Sequence, residues 1–264
     1  MKIIVCIKQV PERDARLRIA SDGKSIDETG LATEINESDQ YALEAALRLV
    51  EEHGGEVVVA CLGPDAAQES IRRALAMGAD RAIHLSEDAF QDGDAAATAR
   101  ALAAAIETEE EVDLVMAGLQ SDDAGWAQTG VLVAERLGWP SATLIMEIEA
   151  EEGGLKVKRE LESGWFQWVR LPLPAVLTIQ SGINTVRYAT LKGIMGAKKK
   201  EIKTLSPDHL GLDAGDVGEA GRRIEIARLY EPEKTAEAEM IEGDDAVKAA
   251  DVLVDRLQKE ARVL

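Results

Sequence analysis

Ala117–Gly130 reads AGLQSDDAGWAQTG, and the fold turns on what flanks it. The apolar run Val112, Leu114, Val115 and Met116 before it predicts a buried strand. The segment VLVAERLGW after it predicts a helix. The stretch is then a loop leaving the carboxyl end of a strand, the place where open α/β sheets bind ligands. Gly118 and Gly125 let a backbone come close to a ligand. Gln128 and Thr129 carry donors in the first turn of the helix, whose free N–H groups attract anions. Asp122 and Asp123 either accept hydrogen bonds from ribose or adenine, or cap the helix. The chemistry suits a nucleotide, and it also suits an ordinary polar loop with a helix cap.

Working outward, Lys2–Val10 predicts a buried strand stopped by Pro11. Ser21-Asp22-Gly23-Lys24 is a turn signal between the extended pieces RLRI and SID. Asn36 or Ser38 is expected to cap a helix carrying Leu43, Ala46, Leu47 and Val50 on one face, ended by Gly54-Gly55. Val57–Leu62 is a second buried strand, closed by Gly63-Pro64. A helix from Asp65 buries Ile71, Ala74 and Leu75 and stops at Gly78. Arg81–Leu85 is a short strand, and Asp94 opens an alanine-rich helix to Glu107. Strands and helices alternating with short joins predict a parallel sheet with helices on both faces.

The pattern changes after Pro140. Thr143–Ala150 and Leu155–Leu161 flank Glu151-Glu152-Gly153-Gly154, a hairpin by turn chemistry, and Trp165–Leu171 is a candidate third strand. Pro174–Ile179 reads as another buried strand, followed by the basic segment Arg187–Lys203. Ser206–Gly221 reads as a loop, and Arg222–Tyr230 as a return to the sheet or its edge. A terminal helix from about Asp244 to Glu260 carries Val247, Ala250, Val254 and Leu257 on one stripe. That stripe needs a surface, either its own domain or a second subunit.

The net charge of −19 argues against nucleic-acid binding. Cys6 and Cys61 lie inside apolar runs and are expected to be buried, unreactive thiols. No signal-peptide pattern precedes the first strand and no apolar run reaches bilayer length, so a cytoplasmic location is expected. Catalytic constellations do not assemble. His53, His84 and His209 lack metal-ligand spacing, and neither G-x-S-x-G nor a glycine-rich phosphate loop occurs. Asp122-Asp123, or Asp92 with Asp94, offer carboxylates to a metal ion or serve as helix caps. No catalytic residue and no metal ligand is assigned.

Several segments, in order, resemble the electron transfer flavoprotein beta-subunit family. They are KIIVCIKQVP, TEINESDQYALEAALRL, GPDAAQESIRRALAMGADRAIHL, GLQSDDAGWAQTG with LGWPSAT, VKRELESGWFQWVRLPLPAVLT and NTVRYATLKGIMGAKKKEI. The resemblance implies an α/β, Rossmann-like parallel sheet similar to the adenine nucleotide α-hydrolases, with a β-hairpin insertion and a C-terminal helical arm. Residues 1–230 would form the nucleotide-binding domain, including the hairpin 143–171 and a partner-recognition segment 184–200. Residues 231–264 would form an arm packing on the partner subunit.

The family further implies an electron carrier rather than an enzyme, a heterodimer with an alpha subunit holding most of the redox FAD. It passes electrons from flavoprotein dehydrogenases to a quinone-linked acceptor. AMP, or a second FAD in electron-bifurcating relatives, would lie in this subunit. Carried over, the nucleotide contacts fall on Cys6, on Asn36, Glu37, Ser38 and Asp39, on Leu62, and on Gly118, Leu119, Gln120, Ser121, Asp122, Asp123, Ala124, Gly125, Trp126, Ala127, Gln128 and Thr129. Backbone groups at Cys6 and Leu62 would read the adenine edge, and the Gln128–Thr129 end would hold the phosphate. Ala124-Gly125 replaces a third acid common in the family, and Ala127 replaces a common Asn. Thr129, where bifurcating members tend to have Val, favours AMP. Leu191 resembles the family's exposed anchor for a partner dehydrogenase, and Gly193 and Gly196 predict a flexible segment there. Two other classes remain open: an ATP-using enzyme of the α-hydrolase group, and a nucleotide-binding module.

Overall fold

The computed structural model describes residues 1–233, 238–241 and 245–264. Its centre is β1 (Lys2–Ile7), whose side chains alternate between two cores. Ile3, Val5 and Ile7 join one cluster and Ile4 and Cys6 the other. A strand apolar on both faces must be covered on both. The first face takes α1 (Glu37–His53) and α2 (Gln68–Met77), through Leu43, Leu47, Ile71 and Leu75. The second takes α3 (Ala95–Glu107) and α4 (Thr129–Leu137), through Leu102, Ile106 and Val133.

Beside β1 lie β4 (Glu56–Leu62) on one side and β6 (Leu114–Gly118) on the other, both parallel to it. β5 (Arg81–Leu85) extends the sheet beyond β4, and β10 (Ala175–Ile179) extends it beyond β6. The chain thus builds outward from β1 through β4 and β5, then crosses to the opposite side with β6. The switch point lies between β1 and β6. β7 (Ser141–Glu151) starts parallel to β10, then runs on into a hairpin with β8 (Gly154–Glu160), and β9 (Phe166–Pro172) completes the antiparallel edge. The expected hairpin and third strand are both present.

Several expectations change. The first strand ends at Ile7, because the Lys8 N–H leaves the ladder for the Asp39 carboxylate. Gln9–Pro11 becomes β2, paired antiparallel with β3 (Thr33–Ile35). Asn36 takes the N-cap position of α1 as expected but makes no side-chain capping bond, since its side chain and that of Ser38 reach across to the Gln120 carbonyl. The segment expected to be flexible holds a helix, α5 (Leu191–Ala197), whose N-cap Thr190 accepts from Gly193 N at 3.0 Å. Gly193 is needed there because a side chain would strike the Ala76 carbonyl of α2. After it, β11 (Ile202–Thr204) adds to the free side of β5, a strand too short to show in the sequence pattern. Ser206–Gly221 is mostly turns, ending in the one-turn helix α6 (Gly218–Gly221). Arg222–Tyr230, expected to return to the sheet or its edge, makes no strand. The N–H groups of Arg223 and Ile224 donate instead to Asp94, which also caps α3 at Ala96 N and Ala97 N.

Met1–Arg18 and Ile26–Ala227 form one compact unit. Ile19–Ser25 with Arg228–Leu264 form a second. In the second, Leu229 N donates to Gly23 O, and Asp22 closes the expected turn by accepting from Lys24 N and Ser25 N. Its helix α7 (Ala246–Arg256) is capped by Asp245 and leaves Val247, Val252, Leu253 and Val254 exposed. The expected start of this helix at Asp244 lies outside the described residues. No helix among the described residues is long and apolar enough to cross a membrane.

Candidate functional site

The ends of β4, β1 and β6 meet the N-termini of α1 and α4 at the switch point, and the stretch 118–129 runs across them. This loop is braced from below. Gly118 N donates to Asp39 Oδ1 at 2.8 Å, and Leu119 N to the Ile179 carbonyl at 2.9 Å. The Gln120 carbonyl accepts from Asn36 Nδ2 (2.9 Å) and Ser38 Oγ (2.7 Å), while Asp122 N donates back to Asn36 Oδ1 at 2.9 Å. Asp122 Oδ2 accepts from Glu37 N at 3.2 Å, and Lys8 Nζ sits 2.6 Å from Asp123 Oδ2. Buried polar groups must be paired, and here the pairing holds a loop in shape.

The braces reassign several side chains. Asn36, Ser38 and Asp39 are buried and spent on the loop, so this turn offers a ligand mainly its backbone. Gly118 makes room for protein rather than ligand, because a Cβ there would strike Ser38 Oγ and Asp39 Oδ1. Asp123 is paired with Lys8, Asp122 with the backbone of Glu37, and Asp94 with four backbone donors. No group of three or more potential metal ligands occurs among the described residues. Cys6, flanked by Ala60 and Ala117, and Cys61 are buried free thiols, and burial pushes both up to about 12. Leu62 lies at the end of β4, next to Gly63, whose carbonyl is 3.1 Å from His84 Nε2.

What remains free is the far end of the loop. Ala127 has φ +53°, a left-handed conformation uncommon for a residue with a side chain, and Gln128 then leads into α4. The first helical bond is from Leu132 N to the Gln128 carbonyl. The N–H groups of Trp126 through Val131 therefore donate to no acceptor among the described residues. Successive free N–H groups at a helix N-terminus form a ready anion site. Sequence reasoning placed Gln128 and Thr129 here but missed the turn at Ala127 that aims the donors.

A second feature lies away from the strand ends. Segment 184–200 is stapled at both ends. Asn184 Nδ2 donates to the Tyr41 carbonyl at 3.0 Å, and Arg187 grips Glu44 (2.7 Å) and Glu51 (2.5 Å) on α1. At the other end Arg72 Nη1 donates to the Ala197 and Lys200 carbonyls, and Lys200 Nζ caps the C-terminus of α2 at the Leu75 and Ala79 carbonyls. Between the staples Tyr188 is 95% exposed, Leu191 76% and Met195 65%. Beneath them is a cavity of about 640 Å³, bounded by Ile35, Arg72, Met77, Tyr188 and Ile194.

Switch-point topology, a braced loop and an open helix N-terminus define a Rossmann-like α/β protein with a candidate ligand site at its strand ends. Residues 24–210 match the electron transfer flavoprotein domain. The chain is 42% identical over 257 residues to an electron transfer flavoprotein subunit beta of Methylophilus methylotrophus, covering 96% of this chain and 97% of the relative. It is 38% identical over 258 residues to the subunit of the same name in Thermoanaerobacterium thermosaccharolyticum, covering 97% and 98%. It is 36% identical over 261 residues to the caffeyl-CoA reductase-Etf complex subunit CarD of Acetobacterium woodii, covering 98% and 99%. The chain belongs to the electron transfer flavoprotein family, among its beta subunits. Membership implies work with a flavin and with an alpha-subunit partner.

Proposed function

We propose that this chain is the beta half of a heterodimeric electron carrier that takes electrons from flavoprotein dehydrogenases to a quinone-linked acceptor in the cytoplasm. AMP, bound at the switch-point crevice, serves as structural scaffold. The observation carrying this reading is the row of free N–H groups from Trp126 to Val131 at the end of a braced loop. A nucleotide phosphate is the anion such a row suits, with the α4 dipole adding to it. The backbone of Cys6 and Leu62, the turn 36–39 and the loop 118–129 would surround the adenosine. Thr129, in the first turn of α4, favours AMP over a second FAD. FAD, held mainly by the alpha subunit, supplies the redox chemistry, so this chain needs no catalytic side chain.

Three surfaces serve association in this reading. Leu191 projects from a stapled segment, the arrangement of a single apolar anchor for a dehydrogenase pocket. The arm 231–264 presents the exposed valines and Leu253 of α7 to the alpha subunit. Trp165 and, on the edge strand β9, Phe166 and Trp168 form a further exposed aromatic patch, with Lys156 and Lys158 over the last two rings, of the composition interfaces favour.

The test is the ligand content of the dimer purified with its alpha subunit. One flavin and one AMP are expected. Two flavins would assign the bifurcating type. A colourless chain that hydrolyses ATP alone would overturn the carrier reading in favour of an α-hydrolase-type enzyme.

A further inference from the structure

We infer that Asp39 is a positioning residue of the nucleotide crevice: its buried carboxylate ties the end of β1 to the end of β6 and so sets where the loop 118–129 stands. The inference rests on the proposed nucleotide site: the turn 36–39 offers that site its backbone, and the Asp39 side chain points away to hold the loop. The β1–β6 ladder stops at Cys6 and Ala117. Beyond it the strands diverge, leaving the N–H groups of Lys8 and Gly118 without ladder partners. Asp39 spans the gap. Oδ2 accepts from Lys8 N and Oδ1 from Gly118 N, each at 2.8 Å. The fit depends on both partners, because any Cβ on Gly118 would occupy the space of the carboxylate. An amide cannot replace it, since one of its two ends would turn a donor toward a donor.

Asp39 is 6% exposed, and an ionised carboxylate in that place costs stability. Burial pushes its pKa up to about 7, even against the two backbone donors, the Asn36 amide and the Lys8 ammonium. The groups facing it are Cys6 on β1, Cys61 on β4 and Lys8, whose ammonium is committed to Asp123. Both thiols stay neutral near pH 7, so Asp39 is the member of this cluster that titrates there. Protonation turns one acceptor into a donor and frees one strand end. The loop, and the free N–H row it carries, then loses one of its two ties to Asp39 and leans on the remaining braces at Asn36, Ser38, Ile179 and Lys8. Nucleotide affinity should therefore rise as pH rises through about 7.

The test uses the full chain in complex with its alpha subunit. Binding of AMP and of adenosine is measured calorimetrically between pH 6 and 8, with amide exchange of residues 118–123 followed by mass spectrometry. Adenosine has no phosphate to titrate, so its pH dependence reports the protein. The wild type should gain severalfold in affinity for both ligands across this range. Asp39→Asn should bind at least tenfold more weakly at pH 8, with a flat profile for adenosine and faster exchange in the loop. Gly118→Ala presses on the same contact from the opposite strand, should also speed loop exchange, and serves if Asp39→Asn does not fold. A folded Asp39→Asn protein with wild-type affinity and pH profile would overturn the inference, as would Gly118→Ala with wild-type loop exchange. If the wild type binds neither ligand, the nucleotide reading fails, and loop exchange alone then decides for or against the role of Asp39.

Discussion

Arg187→Ala should release segment 184–200 from α1, at about 3 kcal/mol. Glu44 is 2% exposed and faces two guanidinium groups: Arg187 at 2.7 Å and Arg48 at 2.6 Å. Removing one member of a buried pair costs roughly 3–5 kcal/mol when the other charge is left alone. Glu44 keeps Arg48, so the lower end applies, about 3 kcal/mol. The Glu51 arm is mostly exposed and adds at most about 1 kcal/mol. Urea denaturation measures the loss, and amide exchange across residues 184–190 shows whether it falls on this segment. Glu51→Gln should cost under about 1 kcal/mol and is the internal control. The effect should also depend on pH. Burial would raise the Glu44 carboxyl, but Arg187 and Arg48 outweigh it and hold it below the usual value of 4.5. A depressed folded value gives stability that is present above the unfolded value and lost as pH falls. The gap between wild type and Arg187→Ala should therefore narrow below about pH 4.5. A loss under about 1 kcal/mol, with unchanged exchange at 184–190, would refute the argument that this pair anchors the segment.

Leu191→Ala should leave flavin and nucleotide content unchanged and slow reduction by a dehydrogenase that reduces the wild-type dimer, by roughly tenfold if most of the leucine is buried on docking; stopped-flow kinetics at unchanged rate would remove its role as anchor. Ala127→Gly should raise stability by up to about 1 kcal/mol, because glycine adopts φ +53° without a Cβ clash; a lower melting temperature would show that the alanine methyl contributes more than its strain. Asp94→Ala should cost about 2–4 kcal/mol, combining a lost helix cap with two lost charge-assisted bonds to residues 223 and 224. Burial acts to raise Asp94, its four backbone donors hold it below the usual 3.8, and its share of stability should thus fade as pH drops through that range; equal acid unfolding of variant and wild type would count against it.

Local pattern carried the alternation of strands and helices, the hairpin at Gly153-Gly154, the burial of both cysteines and the position of the loop 117–130. Each follows from periodicity, turn residues or helix signals within about ten residues of chain. Tertiary structure decided the rest. Asp39 and Gly118 lie 79 positions apart, and Asn36 and Asp122 lie 86 apart, so no local pattern shows that the turn before α1 is the brace of the crevice. Strand β11 exists only because β5 offers a free edge, and 222–227 stays irregular only because Asp94 takes its donors. The physical reason is common to all of these. An apolar side chain needs only to be inside, which its neighbours in sequence reveal, whereas a buried polar group needs one particular partner, which only the folded chain supplies.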